Sequence, residues 1–263
     1  MTDALQFQWT SASCSHVGLV RELNEDACLD LAEHGLWAVA DGMGGHTLGD
    51  LASRLVVESL RQMPPAPSLE RFMVDARDRL QTVNRQLRAE AAARNVRIIG
   101  STAVVLLAHG RRCGYLWAGD SRIYLYRGGE LRRLTRDHSQ LEELRARGGF
   151  GGDAALAQVA RNLITRAVGV ADSLELDEDT LALQDGDMFL LCSDGLSNEV
   201  SETEIGDALG GGNCAQAAGE LLDLALRRGG RDNISVVATR ARDLFGSEQT
   251  VLNPGFGEAS RPA

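Results

Sequence analysis

Residues 37–46 read WAVADGMGGH: an apolar run, one carboxylate, then a turn with almost no side chains. The same arrangement recurs as LWAGDSR at 116–122 and FLLCSDGL at 189–196, with a shorter form, RDNISVV, at 231–237. Asp41, Asp120, Asp194 and Asp232 each border an apolar segment of strand length. A lone Asp before Gly is ordinarily a turn residue. Repetition changes that reading, because the strands of one sheet or sandwich bring distant strand ends to a common rim. Carboxylates gathered on one rim repel each other unless cations neutralise them. Hard divalent ions with oxygen ligands, Mg²⁺ or Mn²⁺, are the natural partners. NED at 24–26 adds Glu25 and Asp26 just before another strand. Shared carboxylates around two metals can activate water and clamp a phosphoryl group. After Asp41, Gly42 leaves its backbone unshielded, so its carbonyl can coordinate as well.

Outward from these motifs the chain alternates in blocks. ACLDL (27–31) and GLWAVA (35–40) read as a hairpin. Residues 47–62 space Leu48, Leu51, Ala52, Leu55, Val56 and Leu60 by threes and fours, a helical period. PPAPS (64–68) breaks that helix, and Ser68 caps a second one over roughly 68–94. Strands are expected at 101–108, 112–119, 122–128 and 130–135, with a tight turn at RGGE. A polar helical stretch (138–147) precedes RGGFGGDAALAQVA (147–160), which fits no element. Strands resume near 174–183 and 187–193, helices at about 202–209 and 214–228, and a last strand at 233–240. Strands in hairpin order followed by paired helices are not a βαβ pattern. They predict antiparallel sheets covered by helices, an α+β layered domain over 1–243. The tail, 244–263, carries Gly, Pro and Ser without period and is expected to be disordered.

Bulk properties narrow the function classes. A net charge of −10 over 263 residues disfavours a nucleic-acid partner, which wants a basic face. No apolar run approaches the roughly 18 residues of a membrane span, and the N-terminus does not read as a secretion signal. The five cysteines are scattered and form no C-x-x-C pair, which predicts buried free thiols in a reducing cytoplasm. Lysine is absent and every basic side chain is Arg, which we read as genomic base composition in a bacterium. No glycine-rich phosphate loop follows a strand, so nucleotide binding has no positive signal.

Seven segments, in order, carry a family resemblance: VGLVRELNEDA (17–27), WAVADGMGGH (37–46), GSTAVVLL (100–107), YLWAGDSRIYLYRGGELRRLTRDHS (115–139), NLITRAVG (162–169), DMFLLCSDGLSNEV (187–200) and RDNISVVATR (231–240). Together they resemble the bacterial form of the metal-dependent protein serine/threonine phosphatases of the PPM (type 2C) family. The resemblance implies a four-layer α-β-β-α sandwich, two antiparallel sheets flanked by helix pairs. It implies that Asp41 bridges two metal ions, Mg²⁺ or Mn²⁺, and that the Gly42 carbonyl binds one of them. Asp194 and Asp232 would complete one metal's shell, and Glu25 and Asp26 would hold metal-bound waters. Asp120, with Asp194, would serve a third, weaker ion. Asn233 would steady the Asp232 loop, and Arg21 would grip the substrate phosphate with its planar fork. Hydrolysis of phosphoserine or phosphothreonine would follow in-line attack by a water activated between the two metals.

Two positions depart from relatives. Met43 stands where many eukaryotic members carry a His proposed as the leaving-group acid, which leaves metal-bound water or His46 for that role. The flap, about 140–160, lacks the Pro- and His-containing segment common in bacterial members, and its glycines imply mobility. Cys192 beside the metal motif reads as a buried thiol, because no Gly/Arg phosphate-cradling loop surrounds it. His138 reads as structural. The implied protein is a cytoplasmic monomer acting on phosphorylated proteins and opposing a cognate Ser/Thr kinase, in the manner of phosphatases beside type VI secretion systems. A catalytically dead scaffold and a hydrolase of small phosphate esters are the competing classes. Thr250, in SEQTVLNPG (247–255), would if phosphorylated suit a forkhead-associated-domain protein, against the plainer reading of a disordered tail.

Overall fold

The central strands are apolar on both faces, which decides the architecture. Leu36 to Ala40 are all buried in one strand, and Met188 to Cys192 in another. An antiparallel strand buried on both faces needs cover from two sides. The computed structural model, which describes residues 6–44, 48–147 and 163–245, supplies that cover with a second sheet on one side and helices on the other.

One sheet has the order β1 (Phe7–His16), β11 (Ile234–Asp243), β10 (Met188–Cys192), β7 (Arg122–Arg127), β8 (Glu130–Arg133). The other runs β2 (Asp26–Leu31), β3 (Leu36–Met43), β5 (Ala103–His109), β6 (Arg112–Ala118), β9 (Asp177–Ala182), with the two-residue β4 (Gly100–Ser101) also on β3. Neighbouring strands pair antiparallel throughout. Helices α1 (Leu48–Arg61) and α2 (Leu69–Ala93) cover the second sheet, while α5 (Glu202–Gly210) and α6 (Cys214–Arg227) cover the first. Two short helices, α3 (Gln140–Ala146) and α4 (Asp194–Ser197), lie in the connections.

Side-chain alternation along each strand sorts residues into three apolar layers. Trp37 and Val39 of β3 face Phe189, Leu191 and Val237 between the sheets. Their neighbours Ala38 and Ala40 turn toward Val56, Leu60 and Leu80 of the first helix pair. On the other side Leu190 and Cys192 pack with Ile205, Leu209 and Leu221. Three apolar layers between four structural ones make the α-β-β-α sandwich that the resemblance implied.

Among the elements the structure adds to the sequence reading, two bear on the site. Strand β1 pairs with β11 over ten positions, from Phe7 opposite Asp243 to His16 opposite Ile234. Its sequence, FQWTSASCSH, is half polar because it forms a sheet edge. Helix α4 is one turn opened by Asp194 itself. Ser68 accepts from the Arg71 amide and caps α2 as expected. Among the cysteines, Cys113, Cys192 and Cys214 are buried, but Cys14 and Cys28 are only half-buried, a correction to the expectation for those two. No described helix is long and apolar enough to cross a membrane. Residues 148–162 of the expected flap, His46, and the tail from 246 onward with Thr250 lie outside the described residues.

Asn84 is fully buried on the apolar face of α2. Its Nδ2 donates to the Ala171 carbonyl at 2.9 Å, and its Oδ1 accepts from the Gly169 amide at 2.6 Å. Removing it strands the buried Gly169 amide and also gives up the bond to the carbonyl of the exposed Ala171. Asn84→Ala should therefore cost about 2–4 kcal/mol in urea denaturation, with the exposed neighbour Arg85→Ala within about 0.5 kcal/mol of wild type.

Candidate metal centre

Every acid singled out above comes to the same end of the sandwich. Asp41 lies near the end of β3, and Asp120 and Asp194 lie two residues past β6 and β10. Asp26 opens β2, and Asp232 precedes β11 by two residues. Antiparallel pairing makes these ends coincide: Asp26 stands opposite Asp41, and Cys192 stands opposite both Arg122 and Val236.

Short-range bonds pin each backbone. The Asp41 amide donates to Thr102 Oγ1 at 3.0 Å, and its carbonyl accepts from the Thr102 amide at 2.8 Å and Ser101 Oγ at 3.0 Å. Thr102 Oγ1 lies 2.7 Å from Ser121 Oγ, next to Asp120. Gly42 is so tightly held that a Cβ there would fall 2.0 Å from the Gly49 carbonyl oxygen and 2.7 Å from that of Glu25. A Cβ on Gly195 would meet the Asn233 carbonyl oxygen at 2.0 Å. The glycines after Asp41 and Asp194 thus permit the close backbone approach that draws the rim together.

The side chains are held as well. Ser193 Oγ donates to Asp26 Oδ2 at 2.7 Å and accepts from the Ser235 amide at 3.0 Å, bridging the two sheets. Asn198 Nδ2 donates to Asp194 Oδ2 at 3.0 Å, and the Gly49 amide to Glu25 Oε1 at 3.2 Å. Arg21 Nη2 donates to Asp232 Oδ2 at 2.8 Å, and its side chain remains 55% exposed. Asn233 does more than steady its neighbour. Its Nδ2 donates to the Val17 and Leu23 carbonyls, each at 2.9 Å, and its Oδ1 accepts from the Glu25 amide at 2.8 Å. One side chain therefore clasps both ends of the loop that carries Arg21.

Sequence reasoning passed over Thr102 and Ser193, although both stand inside quoted motifs, as GSTAVV and CSDG. It also missed the pair behind the rim, where Arg122 donates to both oxygens of Asp137 at 2.9 and 2.7 Å. His138 is buried, with Nδ1 accepting from the Gly119 amide at 3.2 Å and Nε2 3.2 Å from Asp177. Its ring stacks on Trp117 with centroids 6.0 Å apart, so it is committed to structure. Cys192 is fully buried and burial pushes its thiol up to about 12, which suits packing and not nucleophilic attack.

Electrostatics give the rim its chemical character. Burial, then the charges of Asp26, Asp194, Asp120 and Asp232, hold the Asp41 carboxyl well above the usual carboxylate range. Burial and nearby acids raise Asp26 to about 7, Asp120 to about 8 and Asp194 to about 6. Glu25 is also raised, chiefly by burial. These are the signs of carboxylates lacking counter-charge. Asp26 Oδ1 is buried with no hydrogen-bond partner among the described residues, which is a further opening for a cation or its water. Among the described residues no three His, Cys, Asp or Glu side chains converge as a complete cage for one ion. Mg²⁺ and its like keep several waters and take only one or two carboxylates directly. The open rim, with oxygen donors only, fits such ions.

Raised carboxylates make the chelated protein bind protons that the unfolded chain has released. Its stability should therefore fall as pH rises from about 4 to about 8, the window set by the Asp26 and Asp120 shifts. Added Mn²⁺ should raise Tm by about 5 °C or more near pH 8 and by clearly less near pH 5.5. Thermal melts with Mn²⁺ or chelator at both pH values check this, and equal shifts would contradict it.

The protein phosphatase 2C family profile matches residues 12–209. The serine/threonine protein phosphatase PstP of Mycobacterium tuberculosis is 36% identical over 249 residues, which are 92% of this chain and 47% of that protein. The chain thus spans about half the length of that relative. Among solved structures, PppA, described as a key regulatory component of T6SS in Pseudomonas aeruginosa, superposes with a TM-score of 0.83 at 46% identity, covering 89% of this chain and 97% of that one. The catalytic domain of PstP in complex with two manganese ions gives a TM-score of 0.78 at 35% identity, covering 90% of this chain and all of that one. With the same layered fold and the same ordered motifs, the chain belongs to the PPM, or protein phosphatase 2C, family.

Proposed function

We propose that this chain is a Mg²⁺- or Mn²⁺-dependent serine/threonine protein phosphatase. The observation that carries the reading is the convergence of Asp26, Asp41, Asp120, Asp194 and Asp232 on one rim, each of the first four with its carboxyl raised. When bound, two divalent ions would supply the charge that lowers a water's pKa and stabilises phosphoryl oxygens. Asp41 and the Gly42 carbonyl would hold both ions between them, with Asp194 and Asp232 on one of them. Asp26 and Glu25 would act through water, and Asp120 with Asp194 would serve a third, weaker ion.

The chain's own residues then orient the substrate. Arg21 is exposed and tethered only through Asp232 among its described side-chain bonds. Turning to a phosphate dianion exchanges one charge-assisted bond for two. The Asn233 clasp keeps the Arg21 backbone at a fixed distance from Asp232, so the phosphorus is presented in one orientation. Water enters in line with the serine or threonine oxygen. The new P–O bond would form as the old one breaks, the attacking water giving up one proton and the departing oxygen taking one, so that phosphate and the free serine or threonine hydroxyl are released. Similarity to PppA supports a finer placement, in the regulation of a type VI secretion system, and the family resemblance adds the expectation of an opposing Ser/Thr kinase. A forkhead-associated-domain protein that would bind phosphorylated Thr250 is a partner consistent with that placement.

The decisive assay is hydrolysis of a phosphothreonine peptide with Mn²⁺, with Mg²⁺ and with chelator. Activity should require metal and fall by about 100-fold or more in Asp194→Asn. Arg21→Ala should raise KM about tenfold and change kcat less, the pattern of lost phosphate binding. A folded protein inactive with every metal would favour the scaffold reading.

A further inference from the structure

The loop that carries Arg21 also carries apolar side chains that remain largely exposed among the described residues. Leu19 and Val20 are each 65% exposed, and Leu23 is 40% exposed. Three exposed apolar residues within five positions of a phosphate-gripping arginine form a local patch, not scattered surface chemistry. Flexibility does not explain them, because the loop is held at several points. Asn233 bonds Val17, Leu23 and Glu25, and the Leu19 amide donates to the Gly230 carbonyl at 2.7 Å. Gly18 takes a positive φ of 84°, and a Cβ there would strike the Asp232 carbonyl oxygen at 2.3 Å. Leu19 is braced against Gly230, where a Cβ would lie 3.1 Å from its Cγ.

Resting on the phosphatase reading above, we propose that Leu19 and Val20 are specificity-determining residues that receive an apolar side chain flanking the phosphoserine or phosphothreonine of the substrate. Arg21 anchors the phosphate, and an extended peptide advances about 3.3–3.6 Å per residue. A residue one or two positions from the phosphorylated one is then carried over the two side chains immediately before Arg21. Because the loop is already rigid, the contact requires no ordering of the enzyme. Charge points the same way. Glu22 is exposed in this loop and lies outside the metal site, so acidic flanks meet like charge while apolar flanks meet Leu19 and Val20.

The test uses the full chain with Mn²⁺ and phosphothreonine peptides that differ only in having Leu, Gly or Asp at the flanking positions, with p-nitrophenyl phosphate as a substrate lacking flanks. The wild type should favour the Leu peptide over the Gly peptide by about tenfold in kcat/KM, and over the Asp peptide by more. The Leu19→Ser/Val20→Ser double variant should bring the Leu-to-Gly ratio near one and leave p-nitrophenyl phosphate hydrolysis unchanged. Val20→Thr, which keeps the branched shape, should reduce the ratio by about half and serves if the double variant fails to fold. Binding of the same peptides to Asp194→Asn, followed by fluorescence anisotropy, reads the preference without turnover, so failure of the phosphatase reading is distinguishable from failure of this one. No preference in the wild type, or a preference that survives both variants, overturns the proposal. Equal loss on the small ester and all peptides does so too.

Discussion

Mutual repulsion among Asp26, Asp41, Asp120, Asp194 and Asp232 is the constraint on which the rest of the structure depends. Left in water, five carboxylates would spread apart at little cost. Here they are drawn to one rim of low dielectric, where burial first and then neighbouring carboxylates raise their proton affinity. Something must hold them there before any cation arrives, and the fold does so through its backbone. Thr102 fixes Asp41, Ser193 fixes Asp26, and the glycines at 42 and 195 allow approaches that any side chain would block.

The three apolar layers provide the stiffness behind that arrangement. Trp37 and Phe189 are fully buried between the sheets, so the spacing of the two rims is fixed by close packing. Ser193 then ties the sheets together where packing ends and charge begins, with one hydroxyl reaching from the first sheet to Asp26 of the second. Asn233 extends the same order to the Arg21 loop. Local destabilisation at a functional site is offset by the frame around it, a common division of labour in enzymes. The expected counter-ions would convert the least favourable feature of the chain into its binding site.

Much of this was legible in the sequence, and the physical reasons are specific. The helices α1 and α2 announce themselves by a 3.6-residue period and by Ser68 and the PPAPS break. The Asp motifs are legible because each acid adjoins an apolar run. Strand β1 was not read, since an edge strand with Ser and Thr on its open side has a weak apolar signal. Asn84 occupies an apolar stripe, and its partners lie 85 and 87 residues away, so no local pattern marks it. Ser193 stands beside Asp194 in the sequence but serves Asp26, 167 residues distant. Partners at that range are set by sheet pairing and the packing of two sheets, which composition and periodicity do not encode.

The most direct test of the shared-rim account is Mn²⁺ binding measured by isothermal titration calorimetry on metal-free protein, beside the folded Asp41→Asn variant. The account predicts about two tightly bound equivalents per chain in the wild type and loss of both in the variant, because one carboxylate would serve both ions. Absence of binding in the wild type, or an unchanged stoichiometry in Asp41→Asn, would contradict it.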